Sequence, residues 1–218
     1  MSKSETLILI PAYNESETIK DVILSSRKYG HVIVLDDAST DETREKALQA
    51  GALVLTNAIN LGYEKNLSSG IKSAINDLKY SFLITIDGDG EHNPDDISRF
   101  TSYLINGMHL VCGNRSSKNR FSEHAWSSLG SIFYGIQDPL CGLKGYSLEF
   151  IRNHKQKFSF ESLGSCIGTC LTKKMINLKC KTTNLEITVS KREGESKFGS
   201  GLRLNLRMLW ELIKFLRI

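Results

Sequence analysis

The sequence predicts an α/β fold: a mostly parallel central sheet flanked by helices, with a Rossmann-like nucleotide-binding half. Three observations carry this expectation. Short, continuous apolar runs alternate with amphipathic helical stretches from Leu7 to Gly113, and such runs suit strands buried on both faces, as parallel strands are. No fixed period recurs, which excludes a solenoid. Polar and acidic residues collect where the runs end, and in open α/β sheets the ligand site lies beyond the carboxyl ends of the strands.

The elements follow in order. Residues 7–11 form the first strand, stopped by Pro11-Ala12-Tyr13-Asn14-Glu15. Residues 16–27 read as a helix with Ile19, Val22 and Ile23 on one side and Ser16 as its cap. The second strand, 31–35, ends in Asp36-Asp37-Ala38-Ser39-Thr40-Asp41. A helix at 43–50 closes at Gly51, and 52–56 is the third strand. Asn60-Leu61-Gly62-Tyr63 is a turn before a helix at 66–78. The fourth strand, 82–86, runs into Asp87-Gly88-Asp89-Gly90. Pro94 opens a helix at 95–106, and 110–113 is the fifth strand. The second half is less regular. Residues 114–135 read as a partly helical loop, 138–142 as a turn, and 158–177 as mixed, helical after Ser162. Residues 185–189 alternate like a strand, 194–199 form a Gly-containing loop, and a helix runs to the C-terminus.

Composition narrows the class. The 218 residues, 40% hydrophobic, fit one compact domain. A net charge of +4 is too small and diffuse to argue for nucleic acid. The five cysteines are odd in number and lack C-x-x-C spacing, so they are expected to be buried free thiols in a reducing cytosol. No stretch approaches the roughly 18 apolar residues of a membrane span, and the first apolar run is too short for a signal peptide. The expected location is cytoplasmic, at most peripheral on a membrane.

Asp87 and Asp89 leave a strand on the same side. Two such carboxylates repel unless a cation neutralises them. A hard divalent ion, Mg²⁺ or Mn²⁺, takes oxygen ligands and shares its shell with substrate phosphates. Gly88 and Gly90 let a ligand approach the backbone. The alternative is a solvated acidic turn, since Asp and Gly are common turn residues. Three acidic strand ends at one sheet edge favour the ligand site. A nucleoside-diphosphate sugar needs this kind of site, because breaking its anomeric bond leaves charge on the diphosphate.

Taken together, Ile10-Pro11-Ala12-Tyr13-Asn14-Glu15, Val34-Leu35-Asp36-Asp37-Ala38-Ser39-Thr40-Asp41, Asn60-Leu61-Gly62 and Asp87-Gly88-Asp89-Gly90-Glu91-His92-Asn93-Pro94 resemble family 2 glycosyltransferases of the GT-A fold. Gly113-Asn114-Arg115, the block from Asp138 to Lys144 and Gly194-Glu195-Ser196-Lys197 look like the dolichol- or polyprenyl-phosphate mannosyltransferase branch. The resemblance spans about residues 7–199. It implies a GT-A domain at 1–201 and a helix at 202–218, part of or appended to it. It implies that Pro11, Ala12, Tyr13 and Glu15 line the nucleoside pocket. Asp37, with Leu35 nearby, would contact base or ribose. Asp87 and Gly88 would face ribose and diphosphate. Asp89 would bind the metal with Asp87 and Glu91. Arg115 would approach sugar or phosphates, and Lys191 or Arg192, with Lys197, would clamp the diphosphate. The donor would be GDP- or UDP-linked. The sequence departs from the family where Ala38 and Glu42 stand for usual glycines, Glu91 for a frequent Gln, and Lys191 for a loop Arg.

The family reaction inverts the anomeric carbon by direct displacement. A sugar hydroxyl acceptor needs a carboxylate base, for which Asp138 is the candidate; a polyprenyl phosphate does not. In the last segment Leu202, Leu206, Leu209, Ile213 and Leu216 form one apolar stripe. Arg203, Arg207, Trp210, Lys214 and Arg217 form a second, about 100° around the helix. That pattern suits a membrane interface, or a helix packed on the domain with a solvated basic face. The rival functions are transfer to a sugar hydroxyl, a sugar-nucleotide pyrophosphorylase, and a nucleotide-sugar binding module without turnover. The pyrophosphorylase ranks low, because Pro11-Ala12-Tyr13-Asn14-Glu15 stands where its Gly-rich phosphate loop would be.

Overall fold

The computed structural model describes residues 5–116, 121–158, 167–190 and the three positions Met208, Trp210 and Leu212. Seven strands form one sheet in the order β3-β2-β1-β4-β6-β5-β7. They are β1 Thr6–Ala12, β2 His31–Asp36, β3 Leu53–Thr56, β4 Phe82–Thr85, β5 Leu110–Arg115, β6 Lys144–Ser147 and β7 Thr182–Ile187. Every neighbouring pair is parallel except those made by β6, which runs antiparallel between β4 and β5. The helices are α1 Ile19–Ser26, α2 Thr43–Gln49, α3 Tyr63–Asn76, α4 Asp96–Ile105, α5 Phe121–Tyr134, α6 Leu148–Asn153 and α7 Ile167–Asn177.

Two apolar layers hold the sheet. Ile8, Ile10, Val34 and Ile84 face Ile19 and Ile23 of α1, Ala47 of α2 and Ile97 and Phe100 of α4. Leu7, Leu9, Leu35 and Leu83 face Leu67 and Ile71 of α3, Ile151 of α6 and Leu171 of α7. Alternate residues of β1 thus serve opposite layers, and each large side chain removed from water contributes about 1.5–3 kcal/mol. The chain goes outward from β1 through β2 to β3, then returns to β4 on the other side of β1. Strand direction of travel reverses there, so the carboxyl ends of β1 and β4 flank the switch point where such sheets bind ligands.

The structure revises several boundaries. α1 begins at Ile19, because the amides of Thr18 and Ile19 turn back onto the Glu15 carbonyl. Ser16 does not cap it; its amide donates to Asp41. α3 starts at Tyr63 directly after Gly62. Residues 121–134 are a regular helix. β6 and α6 were not expected. Lys144 and Gly145 hide the strand, which exists because its backbone pairs with β4 and β5 at once. β7 lies three residues earlier than the apolar alternation suggests, and Val189 instead forms an isolated bridge with His92. Cys112, Cys141 and Cys170 are buried free thiols and Cys180 is partly so; Cys166 lies outside the described residues.

At the C-terminal end, Met208, Trp210 and Leu212 are helical. Leu212 is buried against Trp126 of α5, whose indole donates to the Met208 carbonyl at 3.0 Å. The side turned to the domain therefore includes Met208 and Leu212, neither in the apolar stripe read from the sequence. Trp210 is 56% exposed. The five residues of the apolar stripe, and the four basic residues, lie outside the described residues.

Candidate active site

The loops after β1 and β2 are stitched together at the sheet edge. The Asp37 amide donates to the Ala12 carbonyl at 2.9 Å. The Asn14 amide donates to Ser39 Oγ at 3.0 Å, the Thr40 amide to Asn14 Oδ1 at 2.8 Å, and the Glu15 amide to Thr43 Oγ1 at 2.7 Å. Asn14 and Ala38 both take positive φ, 54° and 59°. The position where this chain has Ala in place of the family's usual Gly is thus one where glycine relieves strain. Pro11 and Ala12 are buried, and Tyr13 stands exposed beside them.

Asp37 is fully engaged by the chain itself. Its carboxylate accepts from Asn57 Nδ2, the Leu61 amide and the Gly62 amide, each at 2.8 Å. It therefore shapes the 57–62 segment, whatever else it touches. The neighbouring Asp36 accepts from the Ser39 amide through Oδ1, while its buried Oδ2 has no partner among the described residues.

Asp87 is held from three sides. Tyr63 Oη donates to Oδ1 at 2.8 Å, and His92 Nε2 lies 3.5 Å from Oδ2. On the third side a Cβ at Gly142 would fall 2.1 Å from Oδ2, so only glycine fits there. The Gly142 carbonyl in turn accepts from Thr85 Oγ1 at 2.7 Å. Burial works to raise the Asp87 pKa, but the bond and charge of His92, then Tyr63 and Lys144, outweigh it and hold the carboxyl below its ordinary value. Burial first, and then the Asp87 charge, push the Tyr63 phenol well above its usual range, so it remains a donor.

Gly88 is buried and its carbonyl accepts from Thr18 Oγ1 at 2.7 Å. Asp89 and Glu91 are half-buried, and Asp89 Oδ1 accepts the Glu91 amide at 3.1 Å. The Glu91 carbonyl accepts the Ser190 amide at 2.9 Å. The segment of Asp89 thus lies against the end of the chain that leads into Lys191 and Arg192. Those two residues and Lys197 lie outside the described residues.

Among the described residues no three His, Cys, Asp or Glu side chains converge into a complete metal cage. The donor set still fits a hard divalent cation. Asp89 offers carboxylate oxygen at a half-open edge, Glu91 is adjacent, and Asp87 is pinned behind them. An Mg²⁺- or Mn²⁺-type ion keeps most of its shell for water and phosphate oxygens.

Arg115 and Asp138 form a forked pair. Arg115 Nε and Nη2 reach the two Asp138 oxygens at 2.7 and 3.1 Å, and Glu123 lies 3.8 Å from Nη1. Burial alone would lower the Arg115 pKa, but Asp138 more than offsets it and keeps the guanidinium charged. Asp138 is 2% exposed. Both of its oxygens are occupied by the guanidinium. Lys144, also buried, donates to the Pro139 and Cys141 carbonyls at 2.9 and 2.7 Å and so fixes the 138–142 turn. Tyr63, His92, Gly142 and Lys144 were not chosen from the sequence as site residues. His92, Gly142 and Lys144 stood inside recognisable blocks and Tyr63 directly follows one, but only the fold brings them to Asp87.

A mostly parallel sheet with acidic strand ends at its switch point defines a nucleotide-binding α/β protein. The chain belongs to glycosyl transferase family 2, whose model matches residues 7–172, and it is a glycosyltransferase. It is 28% identical to polyprenol monophosphomannose synthase of Mycolicibacterium smegmatis, over 91% of this chain and 83% of that protein. It is 28% identical to dolichol-phosphate mannosyltransferase of Pyrococcus furiosus, over 62% of this chain and 44% of that one. Among solved structures, glucosyl-3-phosphoglycerate synthase from Mycobacterium tuberculosis, in complex with Mn²⁺, UDP-glucose and phosphoglyceric acid, superposes with a TM-score of 0.74 at 19% identity, over 99% of this chain and 80% of that one. That likeness establishes the GT-A fold.

Proposed function

We propose that this glycosyltransferase moves a hexose from a GDP- or UDP-linked sugar to a polyprenyl-phosphate type lipid phosphate, with inversion and with a divalent metal. The observation that carries the acceptor assignment is the state of Asp138. A hydroxyl acceptor needs a base, and the carboxylate best placed in sequence to serve is buried and doubly bonded to Arg115. A phosphate oxyanion is already nucleophilic and needs no base. The polyprenol- and dolichol-phosphate names of the relatives support the same choice.

In this reading the loops after β1 and β2, with Pro11, Ala12, Tyr13, Glu15 and Asp37, form the nucleoside end; Leu35, expected from the sequence to stand beside the base, is instead buried against α3 and supports the site from behind. Asp87 and Gly88 lie under the ribose and diphosphate. Asp89, with Glu91, would hold the cation, which supplies Lewis-acid stabilisation of the departing diphosphate when bound. Lys191 or Arg192 and Lys197 would clamp the same phosphates; Ser190, the described residue that precedes them, donates its amide to the Glu91 carbonyl. The lipid phosphate oxygen attacks the anomeric carbon from the face opposite the diphosphate. The carbon–oxygen bond to the diphosphate breaks, its electron pair leaves with that oxygen, and the configuration inverts. No helix among the described residues is long and apolar enough to cross a membrane. Contact with the lipid surface is assigned to residues 202–218, where Trp210 stands exposed.

The test is a thermal-shift panel of GDP- and UDP-sugars with and without Mn²⁺, followed by transfer to polyprenyl phosphate in detergent. One nucleotide class should stabilise the protein in a metal-dependent way. Equal stabilisation of Asp89→Ala by metal and nucleotide would remove the metal assignment, and transfer to a free sugar in preference to the lipid would remove the acceptor.

A further inference from the structure

We infer that Tyr63 is a positioning residue for Asp87, and that the 57–63 segment links the nucleoside end of the site to its diphosphate end. This rests on the functional reading above. The linkage is continuous. Asp37, directly after the second strand, takes the amides of Leu61 and Gly62 at 2.8 Å each. Gly62 turns at φ 83° and Tyr63 opens α3. The helix is then pinned to the sheet one turn on, where buried Asn66 donates to the Leu35 carbonyl at 2.7 Å and accepts from Asn57 at 3.0 Å. Tyr63 therefore leaves a rigid base, and its hydroxyl reaches Asp87 Oδ1 at 2.8 Å.

The geometry on the far side gives this bond its importance. Gly142 blocks Oδ2 from moving toward the 138–142 turn, and His92 lies against the same oxygen. Take away the phenol oxygen, and Oδ1 loses its hydrogen-bond partner while Oδ2 stays confined. The carboxylate then keeps its contacts at Oδ2 but loses the bond that fixes Oδ1, so the orientation it presents to the diphosphate edge is held less firmly. Tyr63 touches neither the sugar nor the leaving phosphate in this scheme. It acts through Asp87.

The experiment compares wild type with Tyr63→Phe, which deletes one oxygen. The readouts are the melting temperature without ligand, the affinity for UDP and GDP by calorimetry in EDTA, and the Mn²⁺ concentration giving half-maximal binding of the preferred nucleotide. A bond to a charged acceptor corresponds to about tenfold in that midpoint. The expected result is a midpoint raised about tenfold, with nucleotide affinity in EDTA reduced by less than the affinity in Mn²⁺, and a melting temperature lowered by about 3–12 °C for the lost bond. Gly142→Ala, which displaces the same carboxylate from the opposite side, should raise the midpoint as well, and keeps the test open if the Phe variant folds poorly. An unchanged midpoint in Tyr63→Phe overturns the inference. So does an equal loss with and without metal, which would make Tyr63 part of the nucleoside pocket or of the scaffold. Wild type that binds neither nucleotide with Mn²⁺ would overturn the functional reading itself, and the Tyr63 assignment with it.

Discussion

Replacing Asp138 by Asn separates a structural carboxylate from a catalytic base. The variant keeps the shape but removes the charge that Arg115 grips at 2.7 and 3.1 Å. Removing one partner of a buried pair costs about 3–5 kcal/mol, because the other charge is stranded. Here the Arg115 side chain is 16% exposed and Glu123 lies 3.8 Å away, so part of the charge remains compensated. We expect a loss of about 2–3 kcal/mol. For a domain of this size that lowers the melting temperature by about 4–12 °C. The assay is urea and thermal denaturation of Asp138→Asn, Arg115→Met and the double variant Arg115→Met with Asp138→Leu. The double variant should recover much of the stability, since apolar replacements of a buried pair are often neutral. A melting temperature within about 1 °C of wild type, with turnover down by about 10²-fold or more, would refute the argument. Asp138 would then be the base, and the acceptor a hydroxyl.

Three further outcomes follow from the same geometry. Lys144→Met leaves the Pro139 and Cys141 carbonyls without their donor; a loss of about 1–3 kcal/mol in urea denaturation is expected, together with weaker nucleotide binding, because this turn carries Gly142. Burial pushes the Cys112 and Cys141 thiols up from 9.0 to about 12; the unfolded chain releases those protons first, so folding stability should be complete below about pH 9 and fall as pH rises toward 12, and both thiols should resist a thiol reagent at pH 8 until denaturant is added. Trp210→Ala, at an exposed position, should reduce retention on anionic vesicles by about tenfold, or about 1.4 kcal/mol, without changing stability. Unchanged retention would remove this residue from the membrane reading. The point variant is a sharper probe than deleting 202–218, which would also uncover Trp126.

The first half of the fold was legible because its signals are local. The run from Leu7 to Pro11 can be satisfied only by burial on both faces, and the structure buries all of β1. The second half was less legible because its strands are defined by their neighbours. Lys144-Gly145-Tyr146-Ser147 has no strand pattern of its own, yet it closes the sheet between β4 and β5. Lys144 looks like a surface residue by type and is buried, because two carbonyls of a tight turn accept its hydrogen bonds. Likewise Leu212 and Met208 turn toward α5, although heptad-like spacing singled out other leucines. Helical periodicity marks residues that share a face, and only the packed structure shows which of the described residues meet α5.

From the sequence alone came the family, the parallel sheet and the three acidic strand ends, since apolar runs and motif spacing are properties of the chain. What surrounds each carboxylate was decided by tertiary structure. Asp37 is occupied by the amides of Leu61 and Gly62, Asp138 by Arg115, Asp87 by Tyr63 and His92, and Asp89, half-buried, by the Glu91 amide. Four aspartates of one type differ in surroundings because their hydrogen-bond partners come from different, often distant, parts of the sequence. Which partners arrive depends on how the strands are ordered in the sheet.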